Sequence, residues 1–193
     1  MGYRAFTSLV ALLIAVVAAP VHALPITFTA TLSGDQEVPP VNTTASGTAT
    51  LTLNDAQTRL EMMVELSGLD LDGLQTPDSG DNVVGMHIHA APPMTNGGVV
   101  FGLMNPNNDL NGDLLIDPVN GTVFSAWDLS EGNNTTLAAQ LSALLEGHLY
   151  LNIHTVEYPG GELRGQIVRV SEPGSLLLLG LGLLGLVTTR RRR

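Results

Sequence analysis

Ile26-Thr27-Phe28-Thr29-Ala30-Thr31-Leu32 alternates apolar and polar residues at every position. Successive side chains of an extended chain point to opposite faces, so one face of this stretch is apolar and the other polar. The period returns in Thr48-Ala49-Thr50-Leu51-Thr52-Leu53. It resumes after the turn residues Asn54-Asp55-Ala56-Gln57, where Leu60, Met62, Val64 and Leu66 share one face and Arg59, Glu61 and Glu65 the other. Half-buried antiparallel strands joined by short turns give this signature, which predicts an all-β antiparallel sandwich or barrel.

The rest of the middle of the chain fits that class. An acidic loop from Asp70 to Asn82 leads into Met86-His87-Ile88-His89. A Pro92-Pro93 to Gly97-Gly98 turn separates it from the apolar Val99-Val100-Phe101-Gly102-Leu103, and a polar loop follows from Asn105 to Asp113. Thr122 to Leu129 reads as a strand with Val123, Trp127 and Leu129 on one face. One short helix is expected near 135–146, capped by Asn134 or Thr135, with Leu137, Leu141, Leu144 and Leu145 at helical spacing and Gly147 as its stop. Two strands, His148 to His154 and Glu162 to Val170, flank Pro159-Gly160-Gly161. Neither an internal repeat nor a domain boundary interrupts residues 24 to 170.

Both ends differ from this domain. Residues 1–23 combine a basic start at Arg4, an apolar run from Ala5 to Ala19 and the small-x-small site Val21-His22-Ala23, the pattern of a secretory signal peptide. At the other end, a Leu- and Gly-rich run from Ser175 to Thr188 closes on Arg190 to Arg193. As a helix that run would be only ~21 Å long, a short transmembrane helix with its arginines snorkelling to the cytoplasmic headgroups. Residues 171–193 resemble the PEP-CTERM sorting signal of Gram-negative bacteria: Glu172-Pro173, a short Leu/Gly helix and an arginine cluster, with Ser171 in place of the motif's first proline. The resemblance implies processing by an exosortase, membrane association through this helix before processing, and a place at the cell envelope, outer surface or extracellular matrix. It also implies a link to extracellular polysaccharide or biofilm.

Composition narrows the chemistry. The chain has no cysteine and no lysine, so disulfides, thiolate ligands and thiol nucleophiles are excluded. Residues 24 to 170 hold 17 of its 18 acids against Arg59, Arg164 and Arg169. A net charge of about −14 there opposes nucleic acid and anionic lipid as partners and suits cations.

Four segments carry a second resemblance. Phe28 to Pro40, Met86 to His89, Gly147 to Thr155 and Pro159 to Ile167 are similar, in order, to the CHRD domain first described in chordin. That family is expected to form an immunoglobulin-like fold distantly similar to Cu/Zn superoxide dismutase, and its biochemical activity is not generally established. The loop from Asn105 to Pro118 is longer than the family's usual connection.

The histidines are the main chemical feature. Strand alternation puts His87 and His89 on one face, ~6–7 Å apart, and His148, Tyr150, Asn152 and His154 on one face of the later strand. If the two strands adjoin, His87, His89 and His154, with His148 as a candidate fourth, form an imidazole site suited to Cu or Zn. The alternative is a structural role, each ring bonding a backbone carbonyl or a carboxylate. Superoxide dismutase activity is not expected: the resemblance implies six histidines, and only four lie outside the signal segment. Asp109-x-Asn111-x-Asp113 opens like a calcium loop, but Leu114 and Asn120 break the pattern, so calcium is not expected. Glu162 and Arg164 share a strand face, which predicts an ion pair with each other or with a neighbour. With no nucleophile elbow, phosphate loop or dinucleotide fingerprint, no catalytic residue is assigned. The expectation is a non-enzymatic, exported, exosortase-processed surface or matrix protein, or alternatively a copper- or zinc-binding domain.

Overall fold

The computed structural model describes residues 24–171. The expected signal peptide, the Glu172-Pro173 motif and the expected C-terminal transmembrane helix fall outside them. Ten strands and one α-helix run in the order β1 (Ile26–Leu32), β2 (Ser46–Leu53), β3 (Arg59–Ser67), β4 (Val83–Ala90), β5 (Gly98–Met104), β6 (Leu115–Asp117), β7 (Thr122–Asp128), α1 (Leu137–Leu145), β8 (Leu149–Thr155), β9 (Leu163–Gln166) and β10 (Val168–Arg169). They build two antiparallel sheets, ordered β10-β1-β2-β3-β7-β6 and β5-β4-β8-β9. The result is an all-β sandwich rather than a closed barrel.

Register follows the alternation. Phe28 pairs with Leu51 and Ala30 with Ala49, and all four are buried. Opposite them, β4 contributes Met86 and Ile88 and β8 contributes Leu149, Leu151 and Ile153. Trp127 stacks on Phe101 at 5.0 Å between ring centroids, joining the two sheets, and its indole N–H donates to the Glu131 carbonyl at 2.6 Å. Among the described residues no helix is long and apolar enough to cross a membrane.

Four details depart from the sequence reading. The single strand expected from Glu162 to Val170 is two strands, because the chain crosses between sheets at buried Ile167. Ile167 N–H still reaches Leu149 of the smaller sheet, whereas Val170 N–H reaches Thr27 of the larger one. The cap of α1 is Thr136, whose extended backbone lets its hydroxyl accept the Ala139 N–H; Asn134 instead takes a left-handed φ of 55°. Leu129 falls beyond β7 and is 41% exposed, since the strand ends where Asp128 receives Arg59 at 2.7 Å. Finally, β6 forms just after the polar loop, before Pro118, pairing with β7.

The acidic loop is organised by one buried carboxylate. Asp70 accepts backbone N–H groups from Asp72, Gly73, Gln75 and Thr76 at 2.7–3.1 Å. Burial would raise its pKa, but the four donors outweigh that and hold it down at about 2, against 3.8 for an ordinary Asp. A depressed carboxyl contributes stability that is present above the unfolded pKa and lost as pH falls through the folded one. Asp70→Asn should therefore lower the urea midpoint at pH 7, with the gap to wild type closing as pH falls from 5 towards 2. A constant gap across that range would show that the charge plays no part.

Candidate metal centre

The outer face of the smaller sheet, turned away from the core, holds the site. Because Met86 and Ile88 point inward, His87 and His89 point outward, and β8 sends Tyr150, Asn152 and His154 to the same side. The strands are neighbours: His89 is opposite Tyr150, His87 opposite Asn152, and His154 opposite Gly85. A Cβ at position 85 would lie 3.1 Å from the His87 ring and 3.6 Å from that of His154, so glycine leaves these rings room to meet diagonally. Ring centroids are 4.8 Å apart for His87–His154, 5.8 Å for His87–His89 and 6.1 Å for His89–His154. One nitrogen from each ring lies within 4.8 Å of the other two.

The remaining contacts fix the tautomers. His87 Nε2 donates to the Asn105 carbonyl at 2.8 Å, His89 Nδ1 to the Gly97 carbonyl at 2.9 Å and His154 Nδ1 to the Pro159 carbonyl at 3.0 Å. A carbonyl only accepts, so each bonded nitrogen carries the proton and the other nitrogen of the neutral ring carries a lone pair. Those other nitrogens, His87 Nδ1, His89 Nε2 and His154 Nε2, are buried and have no partner in the protein. Three acceptors cannot satisfy one another, and each buried unpaired polar atom costs ~1–3 kcal/mol. Ligating histidines that donate their second nitrogen to a backbone carbonyl have this arrangement.

The geometry suits one ion. Three points no more than 4.8 Å apart lie within about 2.8 Å of a common centre, and bound Zn–N distances are ~2.0–2.1 Å. Small ring movements close that gap. Protonation of His89 and His154 is disfavoured. Burial pushes His89 down to about 4, against the opposing effect of its bond to Gly97, and burial together with His87 also lowers His154.

A buried guanidinium braces the site. Arg164, 1% exposed, lies 3.5 Å from the centroid of the Tyr150 ring, on which His89 also stacks at 4.9 Å. Arg164 donates to the Thr95 carbonyl at 2.9 Å and to Asn96 Oδ1 at 3.2 Å, while the Tyr150 hydroxyl accepts Gly97 N–H at 3.2 Å. The turn that supplies the Gly97 carbonyl is thus clamped to the same stack. The ion pair expected between Glu162 and Arg164 does not form: Glu162 accepts the Thr43 and Thr155 hydroxyls, both at 2.6 Å.

Two other candidates lie elsewhere. His148 lies just before the start of β8, ~20 Å along the chain direction from His154, with Nδ1 3.6 Å from Glu146. The Asp109 carboxylate is engaged by the N–H groups of Asn111, Gly112 and Leu114, and Asp113 by Arg59. The sequence reading missed the roles of Tyr150, Arg164 and the carbonyls of Gly97, Asn105 and Pro159. The available signal was that each outward histidine is followed or faced by a Pro- or Gly-bearing turn.

The CHRD domain family model matches residues 28–167. The chain belongs to the CHRD family. The match encloses every residue of the imidazole site, so the site is part of the CHRD domain rather than an appendage. The PEP-CTERM protein-sorting motif matches residues 169–193, immediately after the domain. It directs the chain to export and exosortase processing at the cell envelope or surface. No curated protein matches the chain.

Arg164→Lys keeps the charge but loses the planar stack and the fork of donors. It should destabilise the CHRD domain by about 1–3 kcal/mol in urea denaturation. A variant as stable as wild type would show that the clamp is not structural.

Proposed function

We propose that this CHRD protein is an exported metal-binding protein that holds a single copper or zinc ion on His87, His89 and His154. The observation that carries this reading is the set of three buried imidazole lone pairs, each on a ring whose other nitrogen is tied to a backbone carbonyl. Imidazole is a good donor for both metals. With the other histidine remote, the domain offers one such centre, in keeping with a role other than that of a two-metal dismutase.

The sorting motif supports the location of the activity. An exosortase substrate delivered to the surface of a Gram-negative cell would display the CHRD domain in its extracellular matrix, where polysaccharide is the natural neighbour. The strongly acidic domain, with 17 acids against three arginines, would concentrate cations around it.

Calorimetric titration with Cu(II) and Zn(II) should show one ion bound per chain at micromolar or tighter affinity, and His87→Ala/His89→Ala should weaken this by more than about 100-fold. Saturating metal at about 100 times Kd should add about 2.7 kcal/mol to wild-type stability and almost nothing to the variant. No binding of either ion at micromolar concentration contradicts the proposal.

A further inference from the structure

We propose that the cleft between the Pro39–Val41 segment and the Tyr158–Gly161 turn binds an amino sugar, taking its ammonium group on the Glu37 carboxylate. The inference goes beyond the metal reading and does not depend on it.

The cleft measures about 430 Å³, within the ~300–1,000 Å³ range of small-molecule sites. Glu37, only 5% exposed, lies in its wall. Gly161 makes room for that carboxylate. A Cβ there would come within 2.6 Å of Glu37 Oε1 and 2.7 Å of the Asn152 amide nitrogen, and its φ of 126° favours glycine.

A buried carboxylate needs a partner, and Glu37 is only partly supplied. Its Oε1 receives the Asn152 amide, and Arg164 attracts it. Burial outweighs these contributions, together with that of the Val38 N–H, and keeps its pKa above the ordinary Glu value. A positive group in the cleft supplies the compensation that the protein leaves incomplete. Glu157 adds a second, exposed carboxylate to the lining, and no arginine, lysine or histidine lines the cleft among the described residues. The strongly acidic domain draws cations towards it.

The rest of the lining says what carries the ammonium. Among the described residues no third carboxylate or imidazole joins Glu37 and Glu157, and a bare metal ion would leave most of the volume empty. A peptide would find few main-chain partners, on which its recognition largely rests. Pro39, Pro40 and Pro159 have no N–H, Val41 and Gly161 donate theirs to the Gly34 and Tyr158 carbonyls, and the Val38 carbonyl accepts the Asn96 amide. What remains is the proline rings and the Tyr158 ring, beside two carboxylates. Apolar faces for the C–H groups of a pyranose, with acceptors for its ammonium and hydroxyl groups, are the complement of an amino sugar. Binding is a reversible charge-assisted hydrogen bond, with no covalent step.

Calorimetric titration of the full chain, purified in mild detergent with EDTA present, tests this apart from any metal. The probes are a short β-1,4-linked glucosamine oligomer, its fully N-acetylated counterpart and a lysine oligomer of the same length. Saturable binding of the glucosamine oligomer is expected, with the other two weaker by about tenfold or more. Glu37→Gln should weaken it about tenfold or more. So should Gly160→Trp, because a Cβ at Gly160 meets nothing within 4 Å and the φ there is not left-handed, so the indole can occupy the cleft without backbone strain. Asp55→Asn, in the β2–β3 turn at the other end of the larger sheet, should match wild type. Equal binding of the N-acetylated oligomer overturns ammonium recognition, and equal binding of the lysine oligomer overturns the sugar. An unchanged affinity in folded Glu37→Gln or in Gly160→Trp, or an equal loss in Asp55→Asn, overturns the cleft as the site. No binding of the glucosamine oligomer overturns the proposal outright.

Discussion

Arg164 is buried with no carboxylate ion-paired to it among the described residues, and the outer face of the smaller sheet is built around that constraint. A buried cation must find compensation in place. Here the compensation is the face of Tyr150, the oxygens of the Pro92–Asn96 turn and the attraction of the buried Glu37 carboxylate. Because those oxygens belong to one turn, satisfying the guanidinium also fixes that turn, and with it the Gly97 carbonyl that captures His89 Nδ1. His89, Tyr150 and Arg164 thus form a stack across β4, β8 and β9, in which a charge at one end sets the tautomer of a ring at the other.

The sheet gives this stack its second support. β8 is central in the smaller sheet, between β4 and β9. Its inward residues Leu149, Leu151 and Ile153 seal the sandwich core, and its outward Tyr150, Asn152 and His154 carry the polar layer. A one-residue slip would exchange the two sets, burying the imidazoles in the core and exposing the leucines. The apolar core therefore enforces the position of His154 relative to His87 and His89.

What the sequence could and could not say follows from the same physics. A period of two reports which face a residue takes, so β1, β2 and β3, the outward histidines and the inward Met86 and Ile88 were all legible. It does not report which strands adjoin; that β4 lies beside β8, some sixty residues on, needed the structure. The break at Ile167 was hidden because alternation continues through the crossing while the pairing partner changes. The loops were least legible. The carbonyls that fix the tautomers depend on turn conformations, including the left-handed Met94 and Asn105 at φ 61° and 43°, which no spacing rule predicts. Glu162 and Arg164 share a face as expected, yet nearby hydroxyls and an aromatic ring displaced the ion pair.

The central claim is that three imidazoles carry their protons on defined nitrogens, with the opposite nitrogens gathered around one ion. Long-range ¹H–¹⁵N correlation spectra of the histidine rings at pH 7, before and after one equivalent of Zn(II), test it directly. The account predicts His87 protonated on Nε2 and His89 and His154 on Nδ1, with zinc shifting the opposite nitrogen of these three and leaving His148 unchanged. Rings that exchange freely between tautomers, or a zinc response centred on His148, would contradict it.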